Sequence, residues 1–129
     1  MRKTLTTFGT AAALVLTLAT AAGQPAAAAP APAAGWARCP NGYFCIFDGV
    51  NGTGTIAYFK SGSPDLRGQS MDKRTSSYWS RNAEGFSLHD GYNYGGSCFS
   101  VFPGAQTNLP SSFPAWDNRA SSISKYVCG

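Results

Sequence analysis

The chain has 129 residues, with ten lysines and arginines against six acids and a single histidine, for a formal charge of +4. That length leaves room for one small domain. A charge so mild and scattered, with no basic stripe, argues against a nucleic-acid partner.

The first 29 residues read as an export signal. Arg2 and Lys3 give a positive start, an uncharged run of apolar and small residues follows from Phe8 to Ala22, and small-residue cleavage sites stand at Ala19-Thr20-Ala21 and Ala27-Ala28-Ala29. A membrane span needs about 20 strongly apolar residues, and Thr, Gly and Ala dilute this run. Residues 30–36 read as a flexible leader and 37–129 as the domain. Export supplies an oxidising compartment. Cys39, Cys45, Cys98 and Cys128 are therefore expected as two disulfides rather than as a zinc site, whose ligand spacings they do not match. Three pairings are open, and the preferred one joins Cys39 to Cys45 and Cys98 to Cys128.

Along the domain, aromatic and β-branched residues gather in short runs: YFCIF at 43–47, TIAYF at 55–59, FSLH at 86–89, CFSVF at 98–102 and ISKYV at 123–127. Gly, Asn, Ser and Pro separate them and no useful helical stripe occurs, so the pattern predicts an all-β sandwich. The chain also repeats itself. FCIFDGVNGTG, Phe44 to Gly54, aligns with FSLHDGYNYGG, Phe86 to Gly96, 42 residues later. DKRTSS, Asp72 to Ser77, returns as DNRASS, Asp117 to Ser122, 45 residues later. Two copies, about 43–80 and about 85–127, fill nearly the whole domain.

An aromatic, three further residues, Asp-Gly-x-Asn-x-x-Gly and a later (Asp/Asn)-(Asp/Asn)-x-x-(Ser/Thr)-Ser resemble the Greek-key motif of the βγ-crystallins, present here twice. The first copy departs from it at Gly52, where that family places an aromatic, so the first hairpin is expected to be less well packed. CPNGYFC, Cys39 to Cys45, and VFPGAQ, Val101 to Gln106, are similar to the Streptomyces metalloproteinase inhibitor family, a bacterial secreted group with this fold. The resemblance implies two Greek keys forming a βγ-crystallin-type sandwich, here stapled by two disulfides. It also implies calcium, held between the serine loop of one motif and the hairpin of the other by hydroxyl and carbonyl oxygens. Carried over by position, Ser121 with the Asn118 carbonyl would face the first hairpin near Asp48. Ser76 with the Lys73 carbonyl would face the second near Asp90. Lys73 departs from the pattern, and its ammonium, beside Arg74, should weaken cation binding. The competing reading of these serines is structural, as ties from loop to hairpin.

Catalytic signatures are missing from the sequence. His89 aligns with Phe47 and reads as a strand residue, Glu84 and Asp90 have no glycosidase context, and there is no nucleophile elbow, phosphate loop or HExxH helix. The resemblance implies instead a secreted, non-enzymatic proteinase inhibitor that presents a rigid loop to a metalloprotease cleft. Cys98 and Phe99 are the expected inhibitory loop, with an apolar residue pinned by a disulfide. The family's reactive loop is held by a nearby second cysteine that this chain lacks, and Pro103 to Pro114 is the second candidate segment. The expected partner is an extracellular protease engaged by a monomer, with neither nucleic acid nor membrane involved. No cofactor is required, and calcium is the one optional ion. The alternative is an extracellular calcium-binding or glycan- and cell-surface-binding module, toxin-like in use. Tyr78, Trp79, Tyr92, Tyr94, Phe113 and Trp116 would supply its aromatic surface.

Overall fold

The computed structural model describes residues 35–129; the expected export signal and most of the expected leader lie outside them. The first motif runs through β1 (Phe44–Phe47), β2 (Ile56–Phe59), β3 (Gly62–Ser63) and β4 (Ser77–Ser80). The second runs through β5 (Phe86–His89), β6 (Cys98–Val101), β7 (Gln106–Asn108) and β8 (Ser122–Lys125), with a one-turn helix α1 (Leu109–Ser112) after β7. The strands form two antiparallel four-stranded sheets, ordered β2-β1-β4-β7 and β3-β8-β5-β6. Each motif therefore lends its third strand to the other's sheet: β3 pairs with β8, and β7 with β4. This is the Greek-key sandwich that the resemblance implied.

Strand parity decides what each face buries. Phe44 and Ile46 of β1 and Phe86 and Leu88 of β5 point between the sheets, where they join Leu66, Met71, Tyr78, Val101, Leu109 and Ile123. Burying one such aromatic or aliphatic side chain contributes about 1.5 to 3 kcal/mol. Phe44 and Phe86 are equivalent residues of the two copies, and their rings stack at 4.9 Å with an interplanar angle of 20°. Each motif thus places its aromatic against the other's at the centre of the sandwich.

All five predicted runs become strands, with ends within two residues of those expected. β4 was not anticipated, because SYWS looks like part of a Ser-rich loop, yet it pairs with both β1 and β7. Its serine is satisfied by side-chain bonding rather than by solvent: the Ser77 hydroxyl donates to Gly49 O at 2.6 Å and accepts from Gly52 N at 3.1 Å. Its counterpart Ser122 repeats the arrangement, donating to Gly91 O at 2.6 Å and accepting from Tyr94 N at 3.0 Å. The last serine of each repeated motif is therefore the tie that holds a hairpin down on its sheet.

Both disulfides form with the preferred pairing, Cys39 to Cys45 and Cys98 to Cys128. On the loop-entropy argument, sequence separations of 6 and 30 contribute about 2.4 and about 3.7 kcal/mol. Each cross-link fastens one end of the described segment over the outer face of one sheet. At the start, the turn Gly35–Arg38 brings Trp36, assigned above to the leader, onto Phe47 and Trp79 at ring distances of 5.6 and 6.5 Å. At the end, the chain turns at Tyr126, whose carbonyl accepts from the outward-facing Ser87 hydroxyl at 2.6 Å, and Cys128 reaches β6.

Trp36 also corrects the expectation of a loose first hairpin. Gly52 is buried with φ +69, and a Cβ there would lie 2.6 Å from Trp36 N. The position equivalent to Tyr94 must be glycine so that the amino-terminal turn can pass. Trp36 then meets Phe47 edge-on at 5.6 Å, much as Tyr94 meets His89 at 5.9 Å in the second motif. The aromatic missing from the first hairpin is supplied from outside the repeat. Trp36→Ala is expected to cost about 2 kcal/mol, less than the full truncation of a core tryptophan because the ring is half-buried. Urea unfolding followed by circular dichroism measures this.

His89 occupies the register of Phe47 and is buried, with Nε2 2.8 Å from Ser124 Oγ and Nδ1 without a partner. Burial holds its pKa below the ordinary 6.5, opposed only by the charge of Asp90. The unfolded chain therefore takes up a proton that the folded chain refuses as pH falls from 6.5 towards the folded value. Stability from this group is complete above pH 6.5 and is lost below it. Melting temperatures measured from pH 7.5 to 5 should decline, and His89→Phe should flatten that decline.

Candidate functional site

At the ends of the sheets, the repeated loops and hairpins build two matching cradles. Ser76 N donates to Phe47 O at 2.8 Å in the first, and Ser121 N to His89 O at 2.7 Å in the second. Asn118 N donates to Thr75 O at 2.9 Å, and Lys73 N to Ala120 O at 2.8 Å. Asn118 and Lys73 both adopt left-handed backbone, with φ 56 and 54. Asp48 Oδ1 accepts from Thr55 N at 2.8 Å, and Asp90 Oδ1 from Ser97 N at 2.7 Å. An arginine closes each hairpin acid: Arg74 pairs with Asp48, and Arg119 with Asp90 at 2.8 Å. The Arg119 guanidinium, and then the Ser97 amide, hold the Asp90 carboxyl below the usual carboxylate range.

This arrangement corrects the expected grouping of calcium ligands. Ser76 sits beside Asp48, and Ser121 beside Asp90, the reverse of the carry-over. Each serine loop runs directly into β4 or β8, and those strands pair with β1 and β5 of their own motif. The residue that crosses between motifs lies three positions earlier. Asn118 approaches Ser76, and Lys73 approaches Ser121.

The two cradles differ in what they hold. In the first, the Ser76 hydroxyl faces Asp117 Oδ1 at 2.7 Å and Asn118 Oδ1 at 3.2 Å, an oxygen set of the kind a hard cation accepts. In the second, Lys73 Nζ donates to Ser121 Oγ at 3.0 Å and to Asp90 O at 3.4 Å. An ammonium among those oxygens does not fit a bound calcium ion.

A second feature lies where the outermost strands of the two sheets, β6 and β7, approach each other. Tyr78, Phe99, Phe102, Ala105, Thr107 and Phe113 line an apolar groove of about 530 Å³. Phe102 is 62% and Phe113 44% exposed at its rim. Phe99 does not project as the expected inhibitory loop. In β6, Cys98 and Ser100 take the outer face, while Phe99 is paired in register with inward-facing Leu88. Its ring packs on Phe113, Trp116 and Tyr78 at 4.9, 5.5 and 6.2 Å. The Pro103 to Pro114 segment is not a plain loop, because it contains β7 and α1 and forms one wall of the groove. The projecting aromatic is Phe102, in the VFPGAQ stretch. Parity counted from the disulfide-bonded, outward-facing Cys98 would have found it.

Other candidate groups already have partners. Glu84 pairs with Lys125 at 2.7 Å, and Asp90 with Arg119. Guanidinium groups lie over Tyr92, Trp79 and Trp116 at 4.2, 4.5 and 4.6 Å from the ring centroids, from Arg67, Arg81 and Arg119. A sugar ring stacking on any of these faces must displace a cation, and Tyr78 is buried in the core. No helix among the described residues is long and apolar enough to cross a membrane.

The architecture is that of the βγ-crystallins. A βγ-crystallin from Ciona intestinalis is 21% identical with a TM-score of 0.58, covering 65% of this chain and 99% of its own. One from an archaeon is 23% identical at 0.56, covering 67% and 99%. A βγ-crystallin domain from Clostridium beijerinckii is 10% identical at 0.54, covering 65% and 97%. At such identities the likeness shows the fold alone. No curated protein matches the chain significantly. The sequence itself is more specific. Residues 32–101, more than half the chain and ending on β6 just before Phe102, match the profile of "Peptidase inhibitor family I36". On that match, carried by a βγ-crystallin fold and two disulfides, the chain belongs to this family, that of the Streptomyces metalloproteinase inhibitor.

Proposed function

We propose that the domain is exported and acts as a monomeric, non-enzymatic inhibitor of an extracellular metalloprotease, and that Phe102 is its leading contact. Family membership supports the inhibitor role. The observation that carries the geometry is the turn Phe102 to Ala105. Ala105 N donates to Phe102 O at 3.1 Å and closes the turn. Two bonds to the end of β4, Gly104 N to Ser80 O at 2.9 Å and Ser80 N to Ala105 O at 2.8 Å, fasten it to the sheet. The disulfide from Cys98 holds the strand that feeds it. An exposed aromatic on a turn fixed from both sides loses little entropy on docking, which is how rigid inhibitors gain affinity. A cleft that accepts apolar side chains after the cleaved bond would take Phe102, with Phe113 and the groove beside it.

A second reading assigns calcium to the first cradle alone, on the oxygens of Ser76, Asp117 and Asn118. The convergence of those three side chains, with Asn118 standing where the second cradle has Lys73, favours it.

Titrating a thermolysin-like metalloprotease and a subtilisin-like serine protease with the purified domain, at constant calcium, tests the main proposal. The expected result is stoichiometric loss of metalloprotease activity only. Phe102→Ala should weaken inhibition about 30-fold or more, as for a binding hot spot of at least about 2 kcal/mol. Phe99→Ala should instead lower the melting temperature. Inhibition of neither protease, or unchanged inhibition by a folded Phe102→Ala variant, overturns the proposal.

A further inference from the structure

The repeat places equivalent groups in both cradles with one informative exception. The loop serines, the left-handed residue three positions before them, the hairpin acids and the arginines that pair with those acids all correspond. Asp117 in the first cradle corresponds to Asp72 in the second, and Asn118 to Lys73. A neutral amide therefore lies among the oxygens of one cradle, and an ammonium among those of the other. Lysine is a costly choice at this position, because left-handed backbone favours glycine, asparagine and aspartate over long side chains. Asn118 meets that preference and Lys73 does not. The Lys73 chain begins in the loop of the first motif and ends on Ser121 Oγ and Asp90 O of the second, at 3.0 and 3.4 Å. An ammonium has three donors and no acceptor. A hydroxyl and a main-chain carbonyl are oxygens of the type that also ligate hard cations.

We propose that Lys73 is the resident cation of the second cradle, a charge tethered to the chain that links the two motifs there and keeps divalent ions out. The groups facing that ammonium are consistent with this role. Arg119 already neutralises the Asp90 carboxylate, so a divalent ion would meet two positive groups against one remaining carboxylate, Asp72, whose Oδ2 accepts from the Tyr92 hydroxyl at 2.8 Å. Asp72 Oδ1 is buried without a hydrogen-bond partner, whereas the corresponding Asp117 Oδ1 accepts from Ser76. The second cradle is thus one side chain away from the Asp, Asn and Ser set of the first, and Lys73→Asn would complete it.

The test is run in a Ser76→Ala background, which silences the first cradle and separates this proposal from the reading of calcium there. Melting temperature and titration calorimetry are measured in chelator and in calcium at about 5 mM, above the affinity range of about 0.1 to 1 mM of loose extracellular sites. The Ser76→Ala protein is expected to show no calcium response. Adding Lys73→Asn should create one, a rise of about 5 to 10 °C once calcium exceeds its Kd about tenfold. Further addition of Ser121→Ala should remove it. In chelator, Lys73→Met should melt lower than the protein that keeps Lys73. Calcium binding by the Ser76→Ala protein that Ser121→Ala abolishes would overturn the proposal. So would a folded Lys73→Asn variant with no calcium response, or a Lys73→Met variant that melts no lower.

Discussion

The stack of Phe44 on Phe86 is the contact on which the rest of the architecture depends. A single motif has one apolar face and nothing within its own strands to cover it. Setting the same phenylalanine of each copy against the other brings two such faces together, and the exchange of β3 and β7 fixes their register. Once that register is set, the loop before β4 must lie against the loop before β8. The two cradles, the crossing of Lys73 and Asn118, and the position of β7 beside β6 all follow from it. The groove and its exposed phenylalanines are therefore products of the internal symmetry, at the edge where β6 and β7 lack further strands.

The symmetry is broken where the chain meets demands outside the repeat. Gly52 replaces an aromatic because Trp36 arrives over β1, and His89 takes the place of Phe47 where the cover is the second hairpin's own Tyr94. The disulfides follow the same asymmetry, one closing a short amino-terminal knot and the other reaching from the tail to an edge strand. Lys73 in place of asparagine belongs with these departures. In each case an equivalent position performs the same mechanical task with different chemistry.

Most of the scaffold was legible in the sequence because period-two runs and a self-aligning pattern report directly on strands and duplication. β4 was hidden because both its serines are buried, Ser77 bonded to backbone groups of the hairpin, so residues that normally signal a solvated loop lie in the interior. The site was harder to read. Which serine faces which hairpin depends on strand pairing across a Greek key, and no local pattern encodes that. Phe99 and Phe102 differ by three positions and point opposite ways. Sequence chemistry marked only Phe99, the apolar residue beside Cys98, and the parity of β6 is what separates the packed ring from the presented one.

The two disulfides have a further consequence for a protein that works among proteases. Chain ends are where digestion ordinarily starts, since a frayed terminus threads easily into a cleft. Here the turn Gly35–Arg38 is packed through Trp36 onto Phe47 and Trp79 and followed by the Cys39–Cys45 tie, while the segment after β8 is tied by Cys128 to Cys98 of β6. Fraying of those two segments is thereby restrained, and the lifetime of the molecule beside a protease depends in part on the barrier to opening them.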